Sequence, residues 1–131
     1  MDSYSGFYDN AKLSETPLLK ILKDQGVNTV FVCGLAYDVC VGSTALHAAE
    51  LGFRTIVVED ACAGVSVEGI AEMKAALTKS GCAIVQSADV PDLASGKNRD
   101  VLLALNSLNV LDSAKSAHLS IASRVRNSLG A

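Results

Sequence analysis

The chain has 131 residues, 50% of them hydrophobic and 19% charged, with a net charge of −3, which suits one domain able to bury a core. Its basic residues form no run, so nucleic acid is excluded as the expected partner in favour of a small molecule or a protein. MDSYSGFYDN at 1–10 offers neither a basic n-region nor an apolar h-region, and no window reaches the ~18 to 20 apolar residues of a membrane span, so a soluble, cytoplasmic protein is expected.

Along the chain, TPLLKILKDQG at 16–26 predicts a helix, with Thr16 as N-cap, Pro17 at the first helical position and Gly26 as the stop. VNTVFVCGLA at 27–36 is a nearly unbroken apolar and β-branched run, the pattern of a strand buried on both faces. Helical spacing follows over 40–53, a second strand over 54–61, a second crossover helix over 67–81 and a third strand over 82–87. This alternation predicts an α/β fold, a three-layer α/β/α parallel sheet whose right-handed crossovers place helices on both faces. Three strands alone make a thin sheet with an exposed edge. From a boundary near DLASGKN at 92–98 the texture becomes rich in Ser, Asn and Leu. Residues 98–131 read as a helical extension, with Ala114, His118, Ile121, Val125 and Leu129 near helical spacing.

In parallel sheets ligands bind beyond the carboxyl ends of the strands, which directs attention to GLAYDVC after the first strand and EDACAGVS after the second. A strand ending at Gly34 that becomes a helix at Cys40 presents a thiol at a helix N-terminus, where unpaired N–H groups and the macrodipole favour a thiolate. Those N–H groups, with that of Ala36, are placed to receive the oxyanion of an acyl-transfer intermediate. The four cysteines form no CxxC pair and read as reduced thiols, Cys33 and Cys82 as core and Cys62 as core or pocket lining. Asp38 reads as the cap of the helix that follows it, the alternative being a catalytic role, and Asp60 as a turn residue, the alternative being to orient substrate or the loop below Cys40. His47 lies too far along the helix from Cys40 to pair with it, and reads as packing or surface, like His118.

VFVCGLAYDVCVGSTALHAAELGFRTIVVEDACAG resembles the nucleophile region of the isochorismatase-like cysteine hydrolases, nearest to the nicotinamidases, and DSYSGFYDN at 2–10 is similar to the segment that follows their catalytic lysine. The resemblance implies hydrolysis of nicotinamide to nicotinate and ammonia through a thioester on Cys40. It also implies a cis peptide at Leu35–Ala36 and an oxyanion hole made by the amides of Ala36 and Cys40. Tyr4, Phe7 and Tyr37 become candidate contacts for the pyridine ring. In that family the general-base Asp, the catalytic Lys and the zinc ligands precede the segment matched by DSYSGF. Residues 1–97 are therefore expected to be the C-terminal part of the domain, with N-terminal strands missing and no zinc site of their own, working as a homo-oligomer or with a complementing chain. The competing readings are a non-catalytic remnant that serves as an interaction module, and a related amidase acting on another small amide.

Overall fold

The computed structural model describes residues 3–96; the 98–131 extension, with His118, lies outside the described residues. The elements in chain order are α1 (Leu18–Asp24), β1 (Thr29–Leu35), a π-helical turn (Tyr37–Val41), α2 (Gly42–Glu50), β2 (Arg54–Ala63), α3 (Val67–Lys79), β3 (Ala83–Val85), a 3-10 turn (Ser87–Asp89) and α4 (Val90–Ala94). Pro17, expected as the first helical residue, is the N-cap of α1, and the Thr16 hydroxyl still accepts the Leu18 N–H at 3.3 Å. Tyr8 and Glu15 form an isolated antiparallel bridge, and α4 follows β3, where only a boundary was expected.

The sheet is parallel throughout, in the order β1-β2-β3 with β2 at the centre. Its register runs from Thr29↔Arg54 to Val32↔Val57 and resumes at Gly34↔Cys62, so residues 58–61 stand opposite Cys33 alone. Such an insertion bends a strand and re-aims its side chains. Here it reshapes the ligand end of β2, which carries Asp60 and Cys62.

Side-chain alternation divides the sheet into two faces. Val32, Val57 and Ile84 lie under α2 and α3, in a core with Tyr37, Val41, Ala45, Leu77 and Cys82. Phe31, Ile56, Ala83 and Val85 point the other way, beneath Leu93 of α4. A third cluster closes the lower end of the molecule, where Phe7, Ala48 and Phe53 meet Leu18, Leu19 and Leu22 of α1 together with Val27 and Val30. Helices thus pack on both faces, as predicted, but very unequally. That inequality corrects the expectation for Cys33, which is exposed instead of core. It alternates onto the same face as Phe31, on an edge strand of the described sheet, and does not belong to the cluster that Leu93 covers.

Candidate active site

The chain leaves β1 through a cis Leu35–Ala36 peptide bond, the feature implied by the resemblance. Gly34, just before it, has φ +121, a conformation that side-chain-bearing residues rarely adopt. Ala36 is extended, and its carbonyl accepts the N–H groups of both Val39 and Val41 at 3.0 Å, which winds residues 37–41 into the π-helical turn. Cys40 is therefore the fourth residue of this turn and not the first residue of a helix; α2 begins two residues later, at Gly42. The cysteine still stands between the carboxyl end of β1 and the N-terminus of α2, and it is half-exposed.

Asp38 supports this turn in a way the local sequence does not disclose. Its carboxylate accepts the Val65 N–H at 2.8 Å and the Ser66 N–H at 3.1 Å, so it caps the chain entering α3 and not the helix that follows Cys40. Chiefly the Val65 N–H, and then that of Ser66, hold the Asp38 carboxyl below the usual carboxylate range. Ser66 is the N-cap of α3, its Oγ accepting the Gly69 N–H at 3.0 Å. A Cβ at Gly69 would come within 2.5 Å of Asp38 Oδ2, so the close approach of turn and loop requires glycine there. Asp60 makes a parallel link. It accepts the Ser87 N–H at 2.7 Å and the Ser87 hydroxyl at 2.6 Å, and these bonds, the hydroxyl's first, lower its pKa. Asp38 thus ties the turn after β1 to the loop after β2, and Asp60, near the end of β2, ties that strand to the turn after β3, forming one rim.

The other thiols are engaged elsewhere. Cys62 donates to the Val58 carbonyl at 3.1 Å and packs against the main core, and burial pushes its thiol pKa up. Cys82 faces the Ala45 carbonyl at 3.8 Å and is buried as predicted, its thiol pushed up to about 11 by burial. No side-chain hydrogen bond of this kind engages the Cys40 Sγ among the described residues.

Tyr4, Phe7 and Tyr37 do not converge. Tyr37 is 2% exposed, inside the α2/α3 core, and its hydroxyl finds no hydrogen-bond partner among the described residues; burial, followed by the charge of Glu59, raises its pKa. Phe7 is equally buried and stacks on Phe53 with ring centroids 6.1 Å apart, which leaves no open ring face for a ligand. Tyr4 is exposed and shares a hollow beside α2 with Ser43, Leu46 and His47. His47 bonds Ser5 instead of standing free. Nothing in the sequence announced the captures by Asp38 and Asp60, because their partners lie 27 residues or more downstream. The one local signal was Ser66 three residues before Gly69, an N-cap pattern without a stated partner for Asp38.

Residues 2–89 match the Isochorismatase domain family. The nicotinamidase of Escherichia coli (strain K12) is 41% identical over 68 residues, covering 52% of this chain and 32% of the relative. Among solved structures, PnC1 from L. infantum in complex with nicotinate superposes with a TM-score of 0.64 at 37% identity, over 66% of this chain and 43% of that one. The pyrazinamidase of Pyrococcus horikoshii in complex with zinc gives 0.57 at 34% identity, over 66% and 45%. The chain thus spans about a third of the curated relative and less than half of each solved neighbour. One neighbour carries zinc, but among the described residues no three His, Cys, Asp or Glu side chains come together to hold a metal ion, so these residues do not by themselves fit zinc. No helix among them is long and apolar enough to cross a membrane. The parallel sheet and a family match over most of the chain lead to one conclusion: this protein belongs to the isochorismatase family.

Proposed function

We propose that this chain carries the nucleophile of a nicotinamidase-type amide hydrolase. The observation that supports this most is the position of Cys40, half-exposed in the turn where β1 gives way to α2, at the carboxyl end of a parallel sheet. In this reading the Cys40 thiolate attacks the carboxamide carbon of nicotinamide and the carbonyl electrons move onto oxygen, where the N–H groups of Ala36 and Cys40 stabilise the oxyanion. Collapse re-forms the carbonyl and breaks the C–N bond, and the nitrogen takes up a proton and departs as ammonia. Water then attacks the thioester, releasing nicotinate and returning the thiol. The acid–base groups for these proton transfers come from outside the described neighbourhood of Cys40. Asp38 is committed to Val65 and Ser66, and His47 is committed to Ser5. Of the three aromatic candidates for the ring, only Tyr4 is exposed, and the hollow it lines beside α2 does not include Cys40.

A chimera tests this directly. The part of the E. coli nicotinamidase that precedes its matching stretch is joined ahead of this chain, and ammonia release from nicotinamide is measured. Turnover is expected, with Cys40→Ala abolishing it and Cys33→Ala leaving it intact. A folded chimera that releases no ammonia, or one in which Cys40→Ala retains turnover, overturns the proposal. The unaided chain is expected to turn over nicotinamide slower by orders of magnitude, since members of such a catalytic set act as a unit.

A further inference from the structure

Residues 3–16 form a strap that Phe7 anchors in the cluster with Ala48 and Phe53, and that polar contacts fasten to α2 on either side of that anchor. The Gly6 N–H donates to Thr44 Oγ1 at 3.0 Å, Lys12 Nζ pairs with Glu50 at 2.9 Å, and between them Ser5 Oγ lies 2.8 Å from His47 Nδ1. The strap is closed on itself by the Thr16 N–H donating to the Phe7 carbonyl at 2.8 Å. Ser5 is 6% exposed and its Oγ already accepts the Phe7 N–H at 3.1 Å. A serine oxygen accepts up to two hydrogen bonds, so the Ser5–His47 contact can run in either direction; because no other acceptor for the Ser5 hydrogen is in place among the described residues, the arrangement that satisfies both groups has Ser5 donating to Nδ1 of a neutral imidazole that carries its hydrogen on Nε2. A second proton on the ring would place a hydrogen on Nδ1, facing that of the hydroxyl. The Ser5 hydrogen would then have to turn away inside a buried site where, among the described residues, no other acceptor is in place.

We propose that Ser5 and His47 form a pH-sensitive latch that fastens residues 3–16 to α2, closed while the imidazole is neutral and released when it takes a proton. The charged and titratable groups around the ring agree with this. Among the described residues they are Lys12, with its partner Glu50 on α2, Asp9 and Tyr4 in the same hollow, and Tyr8, whose ring meets the imidazole edge-on at 5.0 Å. Burial foremost, and the Lys12 charge after it, hold the His47 pKa below its ordinary 6.5, with Glu50 opposing. A base whose folded pKa is depressed stabilises the fold fully above its unfolded value, and that contribution is lost as pH falls from there. The latch is independent of the proposed amide hydrolysis, because it joins strap to helix whether or not Cys40 reacts.

Amide hydrogen exchange on the full chain tests the latch. Between about pH 7.5 and about pH 5, protection of the Gly6 and Phe7 amides is expected to fall roughly tenfold or more after correction for intrinsic exchange, while Val57 and Leu77 keep theirs. His47→Asn, which retains an acceptor but cannot charge, should flatten the profile, and Ser5→Ala should show the low protection at both ends. Protection that does not change with pH, or an equal fall in His47→Asn, overturns the proposal. Should His47→Asn fail to fold, the imidazole nitrogen shifts of the unmodified chain at neutral pH decide the matter. The Nε2–H tautomer is required, and an Nδ1–H or charged ring refutes the latch.

Discussion

The two faces of the sheet are built to different standards. Beneath α2 and α3 the core residues Tyr37, Val41, Ala45, Val57, Leu77 and Cys82 are all at most 4% exposed. Among the described residues the opposite face rests on one five-residue helix, which contributes Leu93 over Phe31, Ile56, Ala83 and Val85. The main core needs nothing more from solvent-side partners, whereas the second face ends at an exposed Cys33 and at Leu35, which is 76% exposed beside the cis bond. Stability in the described residues is concentrated on one side of the sheet, and the open side adjoins the turn that carries Cys40.

The largest contrast should appear in thiol reactivity. In the native chain Cys33 is expected to be alkylated by iodoacetamide on the order of 100-fold or more faster than Cys82, whose thiolate is both buried and suppressed. Mass mapping of the labelled sites reads the order, and equal rates would mean that the α2/α3 face opens as freely as the other. Next in size are truncations of the two faces. Leu77→Ala should cost roughly 2–5 kcal/mol in urea unfolding, because a fully enclosed site leaves a cavity, while Leu93→Ala should cost about 2 kcal/mol or less because its surroundings can close in or admit water. Comparable losses would show that the short helix packs as tightly as the long ones.

A third measurement addresses the rim above both faces. Asp38 and Asp60 have folded pKa values lowered by the N–H and hydroxyl groups they accept from. Their contribution is therefore present above the ordinary carboxylate value and is lost as pH falls through the folded values. The unfolding midpoint should drop between about pH 5 and about pH 3, and more steeply in the unmodified chain than in an Asp38→Asn/Asp60→Asn double variant. Parallel curves would remove the two aspartates as the cause. The smallest effect is expected inside the good face itself. Tyr37→Phe deletes a buried hydroxyl without a partner among the described residues and should leave stability unchanged or raise it by up to about 1 kcal/mol. A clear loss would mean that the hydroxyl is bonded after all.

Periodicity and punctuation were enough to order the elements. Helical and strand patterns alternate locally, and their ends are marked by residues such as Pro17 and Gly26, so α1 to β3 could be read within a few positions, together with the placement of Cys40 at the corner after β1. These features depend on near neighbours in the chain, which is why a sequence discloses them. The tertiary structure alone decided which way the side chains at that corner went. Tyr37 turns into the core because α2 and α3 leave a space its ring fills, and Phe7 goes to Phe53 because the strap folds under the sheet. Asp38 reaches past its own helix to Val65 and Ser66 because the β2–α3 loop offers unpaired N–H groups at the right distance. Cys33 stands exposed because coverage of its face ends with the cluster beneath Leu93. Each outcome rests on contacts between segments distant in sequence, and a hydrogen bond or a packed ring is specified by positions in space that no local pattern encodes.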